Sequence, residues 1–360
     1  MNKSLVLCCD GTWNTADQVT KNGEVCVTNV LKLASRVAKE KNAGVALQII
    51  YYDQGVGTHD AFDRIAGGAF GEGLEDNIND GYRFLVANFE PGDDIYLFGF
   101  SRGAYTARSI AGMIRRCGIL RRDAVRQYPR AKELYRSGIA ADDPNAVAFR
   151  GQNAIEDVTP IKCIGVWDTV GALGIPLRAF GAWNQRKYQF IDTKLSPTVA
   201  FAFHALAVDE HRDPFIPTLW QPTKAQGQVV EQAWFAGAHS DVGGGYEEAG
   251  LSDIALEWMM ACARRASLEF DTKVITALGT KPAYKQEVHD SLSAAYKLTF
   301  NRTDREIGDA SSGGTEYFHR SVVERWRDVL TYRPAPLQRY ANRLNALASG
   351  SLGVDQLFTI

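Results

Sequence analysis

The chain has 360 residues, 45% of them hydrophobic and 23% charged, with a formal net charge of −2. That length suits one large α/β domain or two average ones, and the near-neutral charge supplies no global basic field for nucleic acid. No segment approaches the ~18 uninterrupted apolar residues of a membrane-spanning helix, and the first apolar run, residues 5–9, is shorter than a signal peptide's and is broken by Asp10. The expectation is a chain made as a soluble cytoplasmic protein, with signal-less secretion left open.

In chain order, residues 5–9 read as a strand running into Asp10-Gly11-Thr12-Trp13-Asn14. Residues 27–39 carry apolar side chains at three- and four-residue spacing, a helical pattern. Residues 46–52 form a second strand, ending in Asp53-Gln54-Gly55-Val56-Gly57, and residues 74–89 a second helix. The apolar run 95–98 enters Gly99-Phe100-Ser101-Arg102-Gly103, and helical spacing resumes over 104–114. Residues 121–159 are polar and read as a cap-like insertion, with its Arg121-Arg122 pair as solvated surface. The strand 161–167 runs into Asp168-Thr169-Val170-Gly171. A second cap-like insertion, 175–196, is rich in aromatic and basic residues. Residues 197–209 read as a helix, with His204 packed or on its surface, Asp209 at its end and His211 just beyond. The strand 229–235 leads into the glycine-rich run from Gly237 to Tyr246, and a helix follows over 251–268. Residues 301–315 read as a long loop and 321–330 as a helix.

Strands alternating with helices predict a doubly wound, mostly parallel sheet with helices on both faces. The domain reading is 1–270 as the catalytic domain and 271–360 as a C-terminal extension packed on it. In such sheets ligands bind outside the carboxyl ends of the strands, where every polar loop above falls. Six cysteines without a C-x-x-C pair read as small core residues. Cys8 and Cys9, as neighbours on one strand, should point to opposite faces.

Gly99 to Gly103 is a G-x-S-x-G motif between a strand and a helix, the setting of a nucleophile elbow. A serine hydroxyl needs a base, and the base an acidic partner. In the order nucleophile, acid, base, Ser101 is followed by Asp168 and then His239, each just past a predicted strand end. Asp241 reads as a loop-shaping residue near His239. Asp209 reads as a helix cap or a partner of Arg212, and Asp10 as a support of the site. The oxyanion hole should use the N–H of Arg102, with Gly11 or Thr12 as the second donor and the Gly55-Val56-Gly57 loop as the next choice.

These motifs resemble the α/β-hydrolase family that includes the catalytic domain of type VI secretion phospholipase effectors. The resemblance is carried by Cys9-Asp10-Gly11-Thr12-Trp13-Asn14, the Asp53 to Thr58 loop, and Gly67-Gly68-Ala69-Phe70-Gly71. It continues through Gly99 to Arg108, Val166 to Gly171, His204 to Arg212, and Trp234 to Tyr246. It implies an α/β-hydrolase-like fold, a Ser101, Asp168, His239 triad and phospholipase A-type activity. No cofactor and no metal are expected. The expected partners are a lipid or other ester substrate and, if the chain is an effector, an immunity or delivery protein. Trp13, Phe70 and Phe100 are candidates for an acyl groove. The alternatives are an acyltransferase or thioesterase with the same triad, a metal-dependent phosphoester hydrolase using Asp10, Asp168, His239 and Asp241, and a non-catalytic binding module.

Overall fold

The computed structural model describes residues 2–11, 26–41, 44–55, 70–170, 195–221, 225–292 and 302–350. Thr12, Trp13 and most of the expected 175–196 insertion lie outside them, as does the side chain of Phe70.

An eight-stranded sheet organises the chain. Its strands are β1 (Ser4–Cys9), β2 (Glu40–Lys41), β3 (Ala46–Asp53), β4 (Asp94–Phe100), β5 (Ile161–Trp167), β6 (Val199–Ala207), β7 (Val229–Phe235) and β8 (Glu316–Phe318). Their order is β2-β3-β1-β4-β5-β6-β7-β8. Every pairing is parallel except the short edge pair β2–β3. Strand order reverses between β1 and β4, the switch point at which an open α/β sheet leaves a crevice for ligand.

The helices named below are α1 (Asn29–Arg36), α2 (Phe70–Asn88), α3 (Arg102–Cys117), α4 (Tyr128–Arg136), α5 (Pro144–Asn153), α6 (His239–Gly243), α7 (Gly250–Arg265), α8 (Thr272–Leu278) and α9 (Arg320–Asp328). Two layers follow from strand alternation. Leu5, Leu7 and Cys9 of β1 pack with Ile78, Tyr82 and Leu85 of α2 and Ala107 and Ile110 of α3. Val6 and Cys8 face the other way, onto Val30 and Leu33 of α1 and Met259 of α7. Cys8 and Cys9 therefore serve opposite faces, and all six cysteines are buried free thiols.

Residues 199–207 correct the helical expectation for 197–209. A strand covered on both faces is apolar throughout, so its periodicity does not separate it from a buried helix. Asp209 and His211 consequently follow a strand, not a helix. Arg212 pairs with Glu210 rather than Asp209, at 2.9 Å through Nε and 2.8 Å through Nη2. The 121–159 segment packs along the helix layer. Arg150 donates to the carbonyls of Arg116 and Ala141, Arg116 donates to the Tyr135 carbonyl, and Tyr128 donates to the Asn79 carbonyl. It packs on the flank of α2 and the C-terminal half of α3. Beyond residue 302, β8 extends the sheet beside β7. Phe318, Val322 and Trp326 bury a third cluster with Leu206, Val208 and Trp234.

Candidate active site

Ser101 sits between β4 and α3 with φ 56° and ψ −120°, a conformation that a non-glycine residue adopts only under strain. The turn closes through Ser101 N–H on the Trp167 carbonyl at 3.1 Å and Tyr105 N–H on the Ser101 carbonyl at 3.3 Å. The flanking glycines are required by contact. A Cβ on Gly99 would overlap the Gly103 carbonyl, and one on Gly103 would overlap the Cys9 carbonyl of β1. The elbow is thus pressed into the β1–β4 switch point. Arg102 opens α3, where the first-turn N–H groups have no preceding helical carbonyl to bond.

Asp168 follows β5 with φ 36°, its N–H on the Ala205 carbonyl at 2.7 Å. Its side chain is fully buried. Oδ1 accepts from Ala207 N–H at 3.1 Å. Oδ2 meets His239 Nδ1 at 2.6 Å and accepts from Arg305 Nη2 at 2.9 Å. Burial opposes ionisation, but Arg305, the His239 bond and the Ala207 N–H outweigh it and hold the carboxyl well below its usual range.

His239 opens α6, a short helix after β7. Its ring lies 4.5 Å from that of Phe100, the residue before the serine, and Phe215 meets it edge-on at 4.9 Å. A Cβ on Gly243 would overlap the Phe100 ring, so this glycine lets α6 seat over β4. Burial draws the imidazole below its usual value of about 6.5, and Asp168 works in the opposite direction. The structure thus brings Asp168 and His239 together at the elbow that carries Ser101.

The supporting residues have separate tasks. Asp10 accepts from Thr28 Oγ1 at 2.5 Å and Tyr52 OH at 2.8 Å, and burial lifts it to about 6 against those donors. Its Oδ1 also takes the Gly11 N–H at 2.7 Å. That corrects the expectation for Gly11: its N–H is spent on a carboxylate and does not serve an oxyanion. Gly55, whose Cβ would lie 2.7 Å from the Gly11 carbonyl, packs against the same loop. Asp241 accepts from Ala238 N–H at 2.9 Å and meets His289 Nδ1 at 2.7 Å. Asp209 accepts from Gly237 N–H and Tyr332 OH, and burial raises it. Phe100 is buried beneath His239, which corrects its assignment to an acyl groove. His204 is buried on β6 and accepts the Thr169 N–H at 3.1 Å; burial lowers it to about 3, so it is a neutral strut behind Asp168.

Three further residues contribute. Arg305 has no local sequence signal, while Glu210 and Arg212 lie in the His204 to Arg212 motif with no role in the site assigned from the sequence. Arg305 lies in the loop read only as a connection. Glu210, wholly buried, accepts the His239 N–H at 3.3 Å and the Ser291 hydroxyl at 2.9 Å. Burial opposes its charge, but Arg212 holds it down to about 2. Arg212 in turn lies 3.6 Å over the ring of Phe215, which touches His239. Among the described residues no three His, Cys, Asp or Glu side chains converge as a metal-ligand group.

Comparison with known proteins gives relatives of the chain as a whole. The chain is 30% identical over 242 residues to the uncharacterized protein YEL023C of Saccharomyces cerevisiae, covering 61% of this chain and 33% of that one. It therefore spans about a third of that relative's length. Among solved structures, an uncharacterized protein from Pseudomonas aeruginosa is similar with TM-score 0.46 and 16% identity, covering 97% of this chain and 53% of that one. The Tle1 effector bound to the VgrG spike of the type 6 secretion system is similar with TM-score 0.44 and 17% identity, over 79% of this chain and 77% of that one. Residues 3–262 match the model of the Tle1-like catalytic domain of type VI secretion phospholipase effectors, and the chain belongs to that family.

Proposed function

We propose that the chain is a serine hydrolase that cleaves a carboxyl ester of a phospholipid, in the manner of a phospholipase A, through Ser101, His239 and Asp168. The observation that carries this reading is the 2.6 Å bond between His239 Nδ1 and Asp168 beside a serine held at φ 56°. Family membership supports the lipid substrate.

Ser101 Oγ attacks the ester carbonyl while His239 Nε2 takes its proton. Negative charge on the carbonyl oxygen develops against the Arg102 N–H at the start of α3. His239 then protonates the leaving alcohol, and an acyl group stays on Ser101. Water, deprotonated by His239, releases the fatty acid and restores the serine. Asp168 fixes the tautomer with the Nδ1 proton and stabilises the transient imidazolium.

Labelling with a fluorophosphonate tests the nucleophile. Wild type should gain one adduct by intact mass, and Ser101→Ala none. An adduct that persists in Ser101→Ala removes Ser101 from the reaction. Fatty-acid release from phosphatidylglycerol vesicles, compared with a short soluble ester, then tests the substrate class.

The pH dependence follows from the burial of His239. Its base form should persist below pH 6.5, so the acid limb of kcat/KM is expected below that value. An acid limb above pH 7 would contradict the buried imidazole described above. The stability sign agrees: His239 takes up a proton more readily unfolded than folded. Its contribution is complete above the unfolded value and is lost as pH falls from about 6.5 toward the folded one.

A further inference from the structure

The guanidinium of Arg305 is buried and reaches the triad acid from a segment beyond the family-matched range. The match ends at residue 262, whereas Arg305 lies in the stretch that leads into β8. Its Nη2 donates to Asp168 Oδ2 at 2.9 Å, and both side chains are almost wholly shielded from solvent. Its Nε and Nη1 find no hydrogen-bond partner among the described residues. A structural arginine in this chain looks different: Arg150 ties three carbonyls and Asp157 together, and Arg325 grips the carbonyls of Tyr284 and Gln286. Within the described residues, the hydrogen bonding of Arg305 is directed to Asp168.

A buried pair of this kind is costly to assemble, because both charges leave water. The location gives the arrangement a use. Asp168 Oδ2 is shared by Arg305 Nη2 and His239 Nδ1, so the guanidinium fixes the oxygen that orients the imidazole. It also places a permanent positive charge on the same carboxylate oxygen that His239 Nδ1 meets. Other charges face the same pair. Glu210 and Arg212 approach His239 from the loop after β6. His204 of β6 faces Asp168, with Arg108 of α3 acting on His204. Asp241, two residues along α6, is engaged with His289. Of these groups, Arg305 is the cation in direct contact with the triad acid.

We propose that Arg305 is a positioning residue of the triad: it holds the Asp168 carboxylate ionised and aimed at His239 Nδ1, and it sets the pH range over which His239 acts as a base. The proposal rests on the triad reading above. The two effects pull in opposite directions. Orientation favours catalysis, while the neighbouring cation disfavours the imidazolium and keeps the imidazole in its base form at lower pH.

The experiment is a pH profile of fluorophosphonate labelling and of ester hydrolysis for wild type, Arg305→Met and Arg305→Lys. Arg305→Met should lose about ten-fold or more in kcat, with KM little changed, as for removal of an orienting group. Its acid limb should move upward by about one pH unit, as expected when a nearby cation is removed. Arg305→Lys keeps the charge without the fork, so its limb should stay with wild type while part of kcat is lost. An Arg305→Met enzyme with wild-type kcat and limb overturns the proposal. So does one that loses kcat with an unmoved limb, since that is a purely structural defect. If Arg305→Met does not fold, Arg305→Lys decides: a displaced limb or undiminished kcat overturns the proposal. Wild type that never labels at Ser101 overturns the triad reading itself, and the proposal with it.

Discussion

Replacing Asp168 with Asn is expected to lower kcat by about 10⁴-fold, or about 5.5 kcal/mol of transition-state stabilisation. Three donors converge on this carboxylate: Ala207 N–H on Oδ1, and Arg305 Nη2 and His239 Nδ1 on Oδ2. An amide has one oxygen to offer, so either orientation sets its NH₂ against a donor. With the oxygen on the Ala207 side, the NH₂ faces Nδ1 and favours the tautomer that carries its proton on Nε2. That imidazole cannot accept the serine proton. With the oxygen toward His239, the Ala207 N–H loses its acceptor and the turn at φ 36° loses a tether. In both cases Arg305 loses its counter-charge, and breaking a buried pair costs about 3–5 kcal/mol. The sign of the pH effect also follows. The folded carboxyl lies below its unfolded value, so its stabilisation is present above about pH 3.9 and is lost as pH falls toward the folded value. Asp168→Asn should flatten that acid dependence. The measurements are kcat on folded protein and thermal unfolding from about pH 2 to 7, which spans the pH range below the unfolded value where the contribution is lost. A kcat within ten-fold of wild type would remove Asp168 from the role of triad acid.

Much of this architecture was legible before any coordinates. The spans 161–167 and 229–235 read as strands, and β5 and β7 have those bounds, because β-branched and aromatic runs end there in polar or glycine-rich turns. The elbow was legible because its glycines answer a local steric demand. Residues 199–207 were not, since a strand buried on both faces and a buried helix present the same apolar run. β8, three residues long, is too short to carry a period; it is defined by the neighbour it pairs with. The chemistry divides in the same way. Ser101 and Asp168 directly follow β4 and β5, and His239 lies four residues past β7, so each is a candidate by its place at a strand end. Arg305 lies 137 residues from Asp168, in a loop without pattern, and only the fold brings them together. The loss of Gly11 as an oxyanion donor depends on which way the Asp10 carboxylate turns, and sequence does not record that. As a groove candidate, Phe100 is a bare aromatic whose facing the sequence does not state. Strand alternation in β4 instead sends it, with Phe98, into the core beneath His239.

The largest stability effect is expected from Gly103→Ala. The added Cβ would overlap the carbonyl oxygen of Cys9 and stand 2.5 Å from the Asp10 carbonyl oxygen. Neither can yield easily. β1 is paired along its length to β3 on one side and β4 on the other, so moving Cys9 disturbs both ladders. α3 cannot retreat, because Ala104, Ala107 and Ile110 are packed into the core with Leu5, Leu7 and Cys9. Overpacking ordinarily costs about 1–3 kcal/mol when side chains can adjust. Backbone against backbone leaves nothing to adjust, so the expected loss exceeds about 4 kcal/mol. Gly151→Ala is the matched control: it also lies in a helix, with nothing within 4 Å of its added Cβ, and should stabilise by up to about 1 kcal/mol. Denaturant unfolding of the two variants against wild type checks both signs. A Gly103→Ala protein of wild-type stability would mean that α3 does not start against β1. The contact that makes Gly103 obligatory is also the one that seats the first turn of α3 in the β1–β4 crevice. The same absent side chain therefore supports both the fold and the position of the Arg102 N–H, and a variant that folds by shifting α3 should lose labelling at Ser101.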